Sequence, residues 1–114
     1  GRGSRVDVIV VELGDGIMGE YGVQEILRAG DLMALTKVHV MCANDPVGAW
    51  GAAWHFKEDL GLKLSCISGP ATDNAVGRAF VEDQLGLPAI NARTQGDGIA
   101  AFVARILRPG AAGE

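Results

Sequence analysis

Val6-Asp7-Val8-Ile9-Val10-Val11-Glu12-Leu13, followed at once by Gly14-Asp15-Gly16-Ile17-Met18-Gly19, is the stretch on which the reading of the chain turns. A run that is nearly all apolar and β-branched, stopped by a glycine-rich turn, has the pattern of a strand buried on both faces of a parallel sheet. Glu20 to Ala29 then carries Tyr21, Val23, Ile26 and Leu27 at mixed helical spacing, and Gly30 ends the run.

The same alternation continues along the chain. Lys37 to Ala43 reads as a second strand, and Asn44 and Asp45 can cap a helix with Pro46 in its first turn. That helix is expected to run to about Leu60, with Gly61 as its stop. Leu64 to Ser68 reads as a third strand. Asp73 or Asn74 caps a third helix that ends at Leu85 and Gly86. Ala89 to Ala92 is a short fourth strand, and Asp97 caps a last helix, Gly98 to Leu107. Strand–helix repeats of this length favour right-handed crossovers and a parallel sheet. The expected fold is a three-layer α/β/α Rossmann-like domain with a four-stranded, mostly parallel sheet and about four helices. It would occupy 1–114 as one unit. Gly1 in place of Met points to processing, a tag remnant or a piece of a longer chain.

Composition narrows the class. The chain has 114 residues, is 48% hydrophobic and 21% charged, and carries 17 Gly. Its mean hydropathy is +0.20. Such a chain can bury a core, which excludes a wholly disordered protein. Ten Lys and Arg against fourteen Asp and Glu leave a net charge of −4, with no basic run longer than two residues. That balance speaks against nucleic acid as a partner, which needs a positive face. No apolar run is long enough for a membrane span, and no signal-peptide pattern opens the chain. Cys42 and Cys66 sit in apolar, strand-like runs without a Cys or His at metal spacing. They read as reduced, buried thiols, and a cytoplasmic setting is the expectation.

Ligands of open parallel sheets bind at the carboxyl ends of the strands. The loops expected there are Glu12 to Gly16, Asn44 to Pro46, Ser68 to Asn74 and Arg93 to Asp97, and they hold most of the small polar residues. The opposite loops, Gly61-Leu62-Lys63 and Gly86-Leu87-Pro88, are plain stops. Gly69, Thr72, Asp73 and Asn74, with Asn44 and Asp45, are therefore candidate ligand residues. Arg93 is the one cation at that end and could meet a phosphate or carboxylate. Each of the acids and Asn74 could equally be a helix cap.

Gly14, Gly16 and Gly19 fit G-x-G-x-x-G between an expected strand and an expected helix. Such glycines let the backbone approach a pyrophosphate, which would make NAD(P) the cofactor of an oxidoreductase domain. Asp15 and Glu20 would repel that pyrophosphate, and the next strand-end acid, Asp45, lies further on than the usual ~20 residues. A second reading uses the acids. Glu12 and Asp15 end the first strand and could hold Mg²⁺ with a nucleotide, since one or two carboxylates plus phosphate oxygens are its common ligands. Glu12 has no capping role at the end of an apolar strand.

Val8-Ile9-Val10-Val11-Glu12 resembles the Walker-B strand of P-loop NTPases, in particular the dethiobiotin-synthetase-like group of ATP-dependent carboxylate-activating and amide-forming enzymes. The resemblance implies that Glu12 stands at the metal, with Gly14 and Gly16 in the loop after it. No G-x-x-x-x-G-K-[ST] segment is present, so the chain would be the second half of such a domain.

The remaining signals are weaker. Gly48, Gly51 and Ala52 share one helix face, and Trp50 and Trp54 lie at i, i+4; a dimer contact there is one expectation. His39 and His55 lack ligand spacing, and Ser68-Gly69 does not make a nucleophile elbow. Lys37, Lys57 and Lys63 fall away from the ligand end. The functional expectation is thus a domain of a larger, cytoplasmic enzyme that binds a small phosphorylated or nucleotide ligand, ATP with Mg²⁺ among them. It is expected to form a homo-oligomer or to dock on a partner domain. The alternatives are an NAD(P)-linked oxidoreductase domain and a non-catalytic assembly module.

Overall fold

The computed structural model describes residues 7–20 and 22–108. Two short strands, β1 (Val40–Cys42) and β2 (Cys66–Ser68), pair in parallel, with Val40 opposite Cys66, Met41 opposite Ile67 and Cys42 opposite Ser68. On the other side of β2 a single parallel bridge joins Ile67 to Ala89. Ile67 N–H donates to the Pro88 carbonyl, and Ile90 N–H donates to the Ile67 carbonyl, both at 3.0 Å. The segment around β2 is therefore central, and all three of its residues are buried.

Five helices surround this ladder among the described residues: α1 (Val23–Leu27), α2 (Gly30–Leu35), α3 (Pro46–Trp54), α4 (Ala75–Ala79) and α5 (Gly96–Leu107). Local chemistry sets their ends. Asp45 caps α3, its carboxylate accepting from Gly48 N–H at 2.7 Å, with Pro46 supplying the preset φ of the first turn. Asn74 caps α4 in the same way, through Gly77 N–H at 2.8 Å. Both helices widen into a π-type turn, His55–Asp59 after α3 and Phe80–Leu85 after α4. Gly86, at φ 67°, takes the left-handed conformation that ends the second of these. The core gathers Ala49, Ala52 and Phe56 from the α3 side, Ile67 from β2, Val81 from the α4 side, and Val23 and Leu27 from α1.

The four-stranded, three-layer Rossmann-like sheet is not formed. Among the described residues Val8–Val11 belongs to no ladder, and its residues are 52–89% exposed. Val6 lies outside the described residues. The expected strand Ala89–Ala92 contributes one bridge, and the expected helix Glu20–Ala29 shrinks to α1, with Gly30 opening α2 rather than closing a helix. The reason is cover. A strand that is apolar on both faces needs helices above and below it. α2 and α5 bury none of their residues. The helical surface in the structure suffices to sheathe β2 and its neighbours, not a further strand. Asp97 also does not cap α5; it lies within the first turn, and Gln95 stands at the cap position.

Candidate functional site

The carboxyl ends of β1, β2 and the Ala89 segment lie side by side, and the chain after each turns across the same end. Gly69 makes this possible. It sits at φ 83°, and a Cβ there would come within 2.8 Å of the Ala43 carbonyl oxygen. Ala71 N–H donates back to that carbonyl at 2.9 Å, which ties the loop after β2 to the end of β1.

Asn91 ties the third segment in. It is 3% exposed, and its side chain spends all four of its hydrogen-bonding sites. Nδ2 donates to Thr72 Oγ1 at 3.0 Å and to Asp73 Oδ1 at 2.7 Å. Oδ1 accepts from Arg93 N–H at 3.1 Å and from Thr94 N–H at 3.0 Å. Thr72 is fully buried and passes its own proton to the Gly69 carbonyl at 2.7 Å. Ser68 Oγ, also fully buried, accepts from Ala92 N–H at 2.9 Å. A closed polar network thus fixes the three loops as one surface.

Beside that network lies a cleft of about 420 Å³, lined by Cys42, Ser68, Gly69, Asp73, Asn91 and Arg93 among others. Its volume falls in the range of small-molecule sites, roughly 300–1,000 Å³. Two charged groups mark its mouth. The Arg93 guanidinium is 3.5 Å from Asp73 Oδ1, with side chains 77% and 40% exposed. An ion pair this open is worth little, about 0–1 kcal/mol, so a ligand can take either partner at small cost. Cys42 brings an exposed thiol, whereas the Cys66 thiol behind it is pushed up to about 11 by burial and by the neighbouring Cys42.

The sequence-based candidates divide between this cleft and the rest of the chain. Gly69, Asp73 and Arg93 line it, and Thr72 braces it. Asn74 and Asp45 act as helix caps, and Asn44 is exposed just beyond β1. Glu12, Gly14, Asp15, Gly16 and Gly19 all lie in the exposed stretch before α1. Among the described residues the G-x-G-x-x-G pattern has no paired strand ahead of it, and the first helix begins at Val23. Gly14 has open space where a Cβ would stand. Among the described residues no group of three or more His, Cys, Asp or Glu could hold a metal ion. Of the two residues that hold the cleft together, the sequence places Ser68 at the start of a ligand-end loop and Asn91 only inside the expected fourth strand. A buried Asn at the end of an apolar run was the one available signal for the second of them.

No described helix is long and apolar enough to cross a membrane. Compared with known protein families, with curated proteins and with solved structures, the chain matches none.

Proposed function

We propose that this chain is the ligand-binding unit of a larger nucleotide-using enzyme, and that a phosphate-bearing ligand occupies the cleft at the strand ends. The observation that carries the reading is the pairing of Arg93 with Asp73 at the cleft mouth, on loops locked by Asn91. Guanidinium suits a phosphate, which it binds through two parallel N–H donors. A carboxylate beside it accepts from hydroxyl or amino groups. A nucleotide carries both an anion and neighbouring hydroxyls, and so answers both groups at once. Mg²⁺ would arrive with the nucleotide. Phosphate oxygens and water would hold that ion, because Glu12 and Asp15 lie in the exposed stretch outside the cleft and are only two carboxylates. The net charge of −4 favours a small ligand over nucleic acid, and two free cysteines favour a reducing, cytoplasmic setting.

Thermal-shift titration with ATP, ATP plus Mg²⁺, and NAD(H) tests this. A ligand that binds only the folded state adds about 2.7 kcal/mol at 100 times its dissociation constant. The expected result is a shift with ATP that Arg93→Gln weakens at least several-fold and Gly14→Ala leaves intact. A shift with NAD(H) alone, abolished by Gly14→Ala and indifferent to Arg93→Gln, would overturn the assignment.

A further inference from the structure

A second feature, independent of the cleft, is the half-buried apolar face of α5. The helix is twelve residues long, yet none of its residues is buried. Ile99, Val103 and Leu107, with Ala100 and Ala104 between them, line an open apolar groove of about 740 Å³ whose far wall is Val8. Arg108 closes one end of that groove. Asp97 stands in the first turn, at the other end. At 100° per residue, Asp97 and Arg108 project within about 20° of each other, so they share one edge of the face. Both are exposed, and neither has an ionic partner among the described residues.

This arrangement is self-complementary. When two copies of one helix pack antiparallel about a two-fold axis, the same edge of each meets its counterpart, and the start of one lies level with the end of the other. Asp97 of each copy then meets Arg108 of the other, twice by symmetry. The macrodipoles also oppose favourably in that orientation. Ala100 and Ala104 lie one turn apart at the middle of the groove, where small side chains let helix axes approach to about 8 Å. A stable interface takes about 800 Å² from each partner. A helix about 18 Å long supplies part of that. Val8, on the other wall, begins an exposed apolar run, Val8 to Val11, that adds apolar area next to the groove. The exposed apolar edge Val47, Trp50 and Trp54 on α3 is the competing contact surface.

We propose that α5 is a dimer interface occupied by α5 of a second copy of this chain, antiparallel and two-fold symmetric. Sedimentation equilibrium of the full chain tests it. The wild type is expected to be a dimer whose association weakens with added salt. Asp97→Arg and Arg108→Asp, each made alone, remove two exposed ion pairs and set like charges together. Each is expected to weaken the dimer about threefold to thirtyfold. Combining the two reverses both ends and is expected to restore the wild-type constant to within about twofold. Val103→Glu, at the centre of the face, should give a monomer. A wild type that stays monomeric overturns the proposal. So does a dimer indifferent to both single reversals, or one broken by Trp50→Ala and not by Val103→Glu.

Discussion

Replacing Asn91 tests the claim that one side chain holds the cleft together. Asn91→Ala removes four hydrogen bonds, one of them to the Asp73 carboxylate. Neutral bonds contribute about 1 kcal/mol each and a charged one about 2. The full sum is not lost, because Asp73, Arg93 and Thr94 are exposed and water takes over their groups. What water cannot reach is Thr72 Oγ1, at 0% exposure, and the space the amide vacates. The expected loss is about 2–4 kcal/mol. Asn91→Asp is more discriminating. It keeps an oxygen for the two backbone N–H groups but sets a second oxygen where Nδ2 stood, 2.7 Å from Asp73 Oδ1. Near neutral pH that places two carboxylates in contact, so this variant is expected to be less stable than the alanine one. As the pH falls, one proton shared between the carboxyls relieves the repulsion, and the deficit of Asn91→Asp against the alanine variant should shrink. Urea unfolding, followed by the fluorescence of Trp50 and Trp54 at about pH 7 and about pH 4.5, reads both effects. An alanine variant within about 0.5 kcal/mol of wild type would refute the network argument, as would an Asn91→Asp deficit that does not change with pH.

Two further predictions concern backbone fit and protonation. Gly77 is buried on α4, and a Cβ there would run into the Ala71 carbonyl oxygen. Gly→Ala inside a helix ordinarily gains about 1 kcal/mol, so a loss of about 1–3 kcal/mol in thermal or urea unfolding is a specific signature of that contact, and a neutral or stabilised variant would contradict it. Burial against Phe56, with ring centroids 5.7 Å apart, lowers the pKa of His39 from its ordinary 6.5. The neutral ring is thus favoured in the folded state, so its contribution is complete above the ordinary value and is lost as the pH falls below it. His39→Leu should flatten the stability profile below about pH 6.5, and an unchanged slope would show that His39 is not its source.

How much of the molecule was legible in its sequence depended on whether the signal was local. Asp45-Pro46 and Asn74 capped the helices they were expected to cap, because a cap needs only a side-chain oxygen and a free N–H three residues on. Gly86 ended its helix for an equally local reason, a left-handed φ that costs glycine nothing. Val8-Ile9-Val10-Val11 carried as strong a strand pattern as any in the chain, yet pairing depends on cover from elsewhere, and α2 and α5 do not provide it. Hydrophobic pattern states what a segment can bury, not what is available to bury it.

The same distinction explains why the two halves of the candidate site parted. The G-x-G-x-x-G glycines act on a ligand only when a strand aims the turn and a helix supplies N–H groups behind it, and among the described residues neither adjoins Gly14, Gly16 and Gly19. Gly69, Thr72, Asp73 and Arg93 met because parallel pairing of β1 with β2 and the bridge at Ala89 align three carboxyl ends, whatever the number of strands. The geometric premise of the rule that ligands gather at such ends therefore outlasts the loss of the larger sheet. Its geometric requirement is adjacent parallel ends with chain turning away from them, and three suffice. What no spacing rule could supply is Asn91, since its partners Thr72 and Asp73 lie 19 and 18 residues earlier. Only folding brings a buried amide to the point where it can brace two loops at once.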